Sequence, residues 1–194
     1  MSLKMNKKFK LPTKSDLKSR TSTISNAFAI AITPYIYPSQ NEIECFFKEL
    51  NLEQGQCAYC LDKANAMDHV KPLVTGGLPT GYITEIRNLV PCCSACNSAK
   101  GSQDFKTWYK SSKNVERLHS EGLTDEQIEN RFLIISKYID KIPDPIDYKT
   151  ILGDKLWNEY LRRKNEMINL LKDDQLFCDK LNDMIKEKLN SENK

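Results

Sequence analysis

Residues 57–101 read CAYCLDKANAMDHVKPLVTGGLPTGYITEIRNLVPCCSACNSAKG, and the fold is decided there. Cys57-Ala58-Tyr59-Cys60 and Cys93-Ser94-Ala95-Cys96 are two C-x-x-C knuckles separated by just over thirty residues. Four thiolates so arranged close a tetrahedron around Zn2+ and leave no open position for substrate, so the site is expected to be structural. It ties the start of the segment to the start of its helix and supplements the small core that so short a unit can build. Cys92 adjoins Cys93, but only Cys93 completes the spacing; Cys45 and Cys178 lie on apolar helix faces and read as buried small hydrophobes. An odd total of seven cysteines without a secretory signal argues against a disulfide framework.

Between the knuckles stand Asp68-His69-Val70-Lys71-Pro72-Leu73, a Gly-rich loop from Thr75 to Gly81, and Asn88-Leu89-Val90-Pro91; Asn97-Ser98-Ala99-Lys100-Gly101 follows Cys96 at once. The pattern predicts a strand near Met67 to Val70, a second near Leu89 to Cys92, and a helix from about Ser94 that Gly101 ends. Taken together and in this order, C-x-Y-C, D-H-V-x-P-L, G-G, N-L-V-P, C-x-x-C-N and K-G resemble the HNH endonucleases, of the ββα-metal fold, over about a quarter of the chain. The resemblance implies that His69 is the general base, that Asp68 and Asn97 bind a catalytic divalent metal, and that Asn88 holds the loop and orients the histidine. The third motif letter, often histidine, is asparagine here, as in a subset of the family.

The chemistry of the residues agrees. A histidine with a pKa near neutrality takes a proton from water if its other ring nitrogen is held. Carboxylate and amide oxygens are hard ligands, so Asp68 and Asn97 favour Mg2+ or Mn2+. Adjacent residues of a regular strand point to opposite faces, so Asp68 and His69 serve one phosphate only if the strand ends or bends, or if they approach from two sides. Lys71, Arg87 and Lys100 flank the site and read as contacts to a duplex backbone, with Lys106, Lys110, Lys113 and Arg117 extending a basic face. Trp108 and Tyr109 read as core, and His119 as a surface residue.

Outward from this segment the chain turns helical. Ile24, Phe28, Ala31 and Ile32 suggest a helix stopped by Pro34 to Pro38. Ser39 with Glu42, and Thr124 with Gln127, are capping boxes before apolar faces at Ile43, Phe46, Phe47, Leu50 and at Ile128, Phe132, Ile135, Ile139. Beyond Pro143 and Pro145 runs a stripe of Leu156, Tyr160, Met167, Leu171, Phe177, Leu181, Ile185 and Leu189, read first as interior packing and second as a dimer seam, with a break at Asp173-Asp174. The expected fold is α+β, a small zinc-stapled HNH core flanked by N-terminal and C-terminal helices. Its parts are a basic flexible arm over 1–22, a helical segment over 23–54, the HNH nuclease core with its zinc site over 55–111, and a helical region over 112–194.

The 194 residues carry 28% charged groups and a net charge of only +3. That average hides seven basic groups against one acid in residues 1–20, an arm suited to neutralising phosphates or else a solvated tail. No run of eighteen apolar residues occurs, and the stretch around Ala27 to Ile32 is too short to span a bilayer and lacks a signal-cleavage pattern, so the expectation is a soluble, cytoplasmic protein without membrane contact. The leading function is a metal-dependent endonuclease on double-stranded DNA, resembling restriction-type and other bacterial or phage defence HNH proteins. A double-strand break needs two active sites, which predicts a homodimer through the C-terminal helices. The alternatives are a non-catalytic zinc-ribbon module that binds nucleic acid, or a nuclease subunit whose target is chosen by a defence-system or mobile-element partner protein. The intact set of Asp68, His69, Asn88 and Asn97 favours the enzyme.

Overall fold

The computed structural model describes residues 16–192, so most of the basic arm lies outside the described residues. Lys18–Arg20 form a single helical turn that runs into α1, Thr21–Ala31. α1 ends where the chain approaches Pro34, whose ring disfavours helix in the residue before it. α2, Gln40–Glu49, starts at the capping box foreseen: Ser39 accepts from the Glu42 amide and the Glu42 carboxylate accepts from the Ser39 amide. Phe46 and Leu50 are buried on its inner face, with Ile43 and Phe47 half-buried.

The central unit is an antiparallel pair, β1 Ala66–His69 and β4 Leu89–Cys92, followed by α3, Ser94–Lys100. Asp68 lies opposite Val90 and His69 opposite Leu89. Between them, β2 Val74–Thr75 and β3 Leu78–Pro79 make a small hairpin. Gly77, at φ 73°, sits at its turn; a Cβ there would stand 2.6 Å from Ser25 Cβ, so glycine lets α1 pack directly on the hairpin.

α4 Phe105–Tyr109, α5 Ser112–Ser120 and α6 Asp125–Ile139 cover the other side. Tyr59, Phe105, Trp108, Tyr109, Leu118 and Ile135 form an aromatic and aliphatic core with Val70, just past β1, and Val90 of β4. Tyr59 stacks on Phe105 at 5.9 Å and meets Trp108 edge to face at 5.0 Å, geometries that add to plain area burial. Thr124 and Gln127 form the expected capping box of α6. From α6, the buried Arg131 guanidinium donates to the carbonyls of Leu50 at 2.7 Å and Ala58 at 2.9 Å, bracing the end of α2 against the first knuckle.

α7, Tyr148–Glu192, differs from expectation twice. Its helix is broken at Gly153, at φ 74°, and runs unbroken through Asp173-Asp174, because exposed aspartates cost a helix little whereas the left-handed backbone at 153 cannot be helical. Nor is its apolar stripe interior. Tyr148, Trp157 and Tyr160 stack in series and Tyr160 meets Phe28 of α1, but Leu156, Met167, Phe177, Leu181 and Ile185 are exposed. Cys45 and Cys178 are exposed too, each one residue off the face its helix buries. Among the described residues, no helix is long and apolar enough to cross a membrane.

Candidate metal centre and active site

The four knuckle cysteines converge: the sulfurs of Cys57, Cys60, Cys93 and Cys96 all lie within 4.8 Å of one another. They are thus positioned to bind a metal ion. A tetrahedral zinc with sulfurs at about 2.3 Å requires sulfurs roughly 3.8 Å apart, and Cys60 and Cys93 are separated by 3.8 Å. The local fold places them by simple means. The Cys93 sulfur caps α3 by accepting from the Cys96 amide at 3.3 Å, and the Ala58 amide donates to the Pro91 carbonyl, holding the first knuckle against β4. Hydrogen bonding from Cys60 and Cys96 favours the thiolate at Cys57, and the same bonds, helped by burial, favour the thiol on those two partners. Only a cation lets all four be thiolates in so small a space. Cys92, also buried, has its thiol pushed up to about 12 by burial and then by Asp68, as suits a neutral bystander.

Arg117 donates to Cys96 Sγ at 3.3 Å and pairs with Glu121. It therefore braces the cysteine cluster instead of joining an open basic face, and two further members of that expected face are paired with acids. Lys106 pairs with Asp140, and Lys110 with Glu129 while lying over the Phe132 ring. Trp108 and Tyr109 are core, as expected.

Asp68 and His69 do point to opposite sides of β1. The Asp68 carboxylate is buried, and through Oδ2 alone it accepts from Tyr59 Oη at 2.5 Å and pairs with Lys100 Nζ at 3.0 Å. Lys100 also donates to the His69 carbonyl at 3.1 Å. The expectation of Lys100 as a surface contact to DNA is thereby corrected. At 1% exposure it cannot reach a phosphate outside; the last turn of α3 threads its ammonium inward, where the Asp68 carboxylate offsets the cost of burying it. Lys71 is half-buried and Arg87 exposed.

His69 is half-buried at the end of β1, its Nε2 3.0 Å from Thr84 Oγ1. Burial lowers its pKa, the Asp68 charge opposing and Lys100 assisting, which favours the neutral ring that can accept a proton. Thr84 is the residue sequence reading missed. It lies fifteen positions away in an irregular loop, and neither spacing nor composition marks it. Its own backbone is fixed to the segment after α1, where the Thr84 carbonyl accepts from Ile36 N at 2.8 Å and the Thr84 amide donates to Pro34 O at 3.1 Å.

Asn88 is fully buried and clamps the loop. Its Oδ1 accepts from Lys71 N at 2.8 Å, its Nδ2 donates to the carbonyls of Lys71 and Ile83 at 3.1 Å each, and its carbonyl accepts from Val70 N at 2.9 Å. Asn97 is half-buried in the first turns of α3, which packs across β1.

Residues 57–103 match the family model of the HNH endonuclease. No curated protein and no solved structure gives a significant match to the chain. The matched segment begins at the first knuckle and contains the four cysteines together with Asp68, His69, Thr84, Asn88, Asn97 and Lys100. The match marks this segment as an HNH endonuclease domain and supports a nuclease-type function in general.

Proposed function

We propose that the protein is a metal-dependent endonuclease that hydrolyses phosphodiester bonds in DNA, with His69 as general base. The observation that carries the reading is the half-buried His69, its pKa lowered by burial, held through Nε2 by Thr84 at the end of β1, inside a segment that matches the HNH family. With Nε2 engaged, Nδ1 is the nitrogen that takes the proton of the attacking water. The water oxygen then bonds to phosphorus, the bond to the 3′-oxygen breaks, and the departing oxygen acquires a proton from solvent. Asp68 and Asn97 would hold a Mg2+ or Mn2+ ion: Tyr59 and Lys100 engage only Oδ2 of Asp68, which leaves Oδ1 for the metal, and the Asn97 side-chain oxygen is a second hard ligand. Such an ion, when bound, neutralises charge on the phosphate and the leaving oxygen. Asn88 keeps the loop carrying Lys71 in place, and Lys71 and Arg87 serve as phosphate contacts. Zinc is the metal assigned to the four cysteines, in a closed structural role.

The test is cleavage of supercoiled plasmid with added Mg2+ or Mn2+. Metal-dependent cuts at discrete positions support restriction or phage defence, a role otherwise resting on the D-H-V-x-P-L and N-L-V-P resemblance. Scattered nicks support a nonspecific or partner-guided nuclease, and an inert protein under every metal, on methylated and unmethylated DNA, removes the enzyme reading in favour of a binding module.

Thr84 is a positioning residue in this scheme. Thr84→Val lowers kcat roughly 10- to 100-fold with KM little changed, and Thr84→Ser restores it. A Val variant as fast as the parent assigns the hydroxyl no part. A homodimer is the further expectation, seated on the exposed apolar residues Leu170, Phe177, Leu181 and Met184 of α7. Light scattering then gives a particle of two chains, reduced to one by Phe177→Glu with Leu181→Glu. A monomeric parent refutes it.

A further inference from the structure

Pro34-Tyr35-Ile36-Tyr37-Pro38 presents three large apolar side chains to solvent in succession, at 58%, 52% and 83% exposure. Single exposed apolar residues need no explanation, but three in a row beside a candidate active site do. Tyr35 and Tyr37, two apart in an extended segment, share a face, and their rings meet at 4.5 Å with a 45° tilt. The segment's backbone is anchored: a proline brackets it at each end, and Thr84 holds it through two hydrogen bonds. The same Thr84 holds His69 by its hydroxyl, so one residue connects the tyrosine pair to the proposed base.

The electrostatic setting is also particular. From Thr21 to Asn41 the chain has no charged residue, in a protein with 28% charged groups. This segment thus brings no carboxylate of its own to repel a phosphate backbone, whereas Lys18 and Arg20 just before it are exposed.

We propose that Tyr35 and Tyr37 form a stacking platform for an unpaired nucleobase next to the scissile phosphate. The proposal rests on the nuclease reading and narrows its substrate. Bases within an intact duplex are covered by their neighbours, so the platform is filled only where the strand is single, gapped, branched or locally opened. Every base has a π-face, so the contact selects for unpaired structure rather than for sequence. Fixing the rings in advance means that little conformational entropy is lost when a base settles on them.

The test uses the full chain without added Mg2+ or Mn2+, a single-stranded oligonucleotide carrying 2-aminopurine, and the same strand annealed to its complement. Tyr37→Ala and Tyr35→Ala weaken single-strand binding roughly 5- to 150-fold and abolish the quenching of 2-aminopurine that the parent produces. Tyr37→Phe, which keeps the ring, binds within about twofold of the parent, and duplex binding by all variants stays within about threefold. Alanine variants that bind single strands like the parent overturn the platform, as does Tyr37→Phe losing as much as Tyr37→Ala. A parent that binds no nucleic acid also overturns it and turns the patch toward a protein partner. The two readings fail separately: a parent that cleaves plasmid while its alanine variants bind normally loses only the platform. An inert parent with ring-dependent binding loses only the chemistry.

Discussion

His69→Ala lowers the rate of Mg2+- or Mn2+-dependent phosphodiester cleavage by roughly 10² to 10⁴, the range that general-base catalysis ordinarily contributes. Alanine removes the only group at the end of β1 that combines a free ring nitrogen with a partner on its other side, Thr84. Cleavage within about tenfold of the parent, from a folded variant, would reduce the histidine to packing. Folding is checked by a thermal melt. His69 is half-buried and outside the main core, so its truncation costs about 1 kcal/mol, as most single substitutions do. Retained binding of uncleaved DNA completes the case, since the loss then falls on kcat alone.

Stripping the metal from Cys57, Cys60, Cys93 and Cys96 has the second large effect. The purified protein is expected to carry about one zinc per chain, and its removal collapses the near-UV circular dichroism of the Tyr59, Phe105 and Trp108 cluster. The scale of the effect follows from two magnitudes. A structural zinc contributes about 10–16 kcal/mol to the folded state, while whole domains are stable by only about 5–15 kcal/mol. Tyr59 lies inside the first knuckle, so unfolding there reaches the core directly. Cys60→Ser and Cys96→Ser share this fate, Mg2+ does not reverse it because a hard ion does not replace zinc on thiolates, and Cys92→Ala keeps its zinc. A stable, ordered protein with no bound metal would refute the assignment.

The parts that were legible in the sequence are those where chemistry constrains spacing. Two C-x-x-C pairs fix a tetrahedron whatever surrounds them, and Ser39-Glu42 and Thr124-Gln127 are read from four residues each. Asn88 was legible as a motif letter, but the three backbone groups it clamps belong to a loop whose path no periodicity describes. Lys100 misled because lysine usually ends in solvent, and nothing local announces that a helix will aim its ammonium at Asp68. Arg117 misled similarly, since its partner Cys96 is twenty-one residues away. The α7 stripe has the right period for burial, but period says which residues share a face and not whether anything covers it.

Arg131 decides where this chain can be cut. Its guanidinium donates to the carbonyls of Leu50 and Ala58, and α6 lays Ile135 and Tyr138 into the same core as Tyr59. A fragment ending at residue 111 would leave those carbonyls without donors and expose Phe105 and Tyr109 where Phe132 covers them. The portable module, the piece that could be grafted into another protein and still fold, is therefore not the segment that bears the motif. It runs from Ser39, the cap of α2, to Ile142, where α6 has ended. A motif-bearing segment that borrows its interior from both sides can be exchanged among proteins only together with the helices that enclose it.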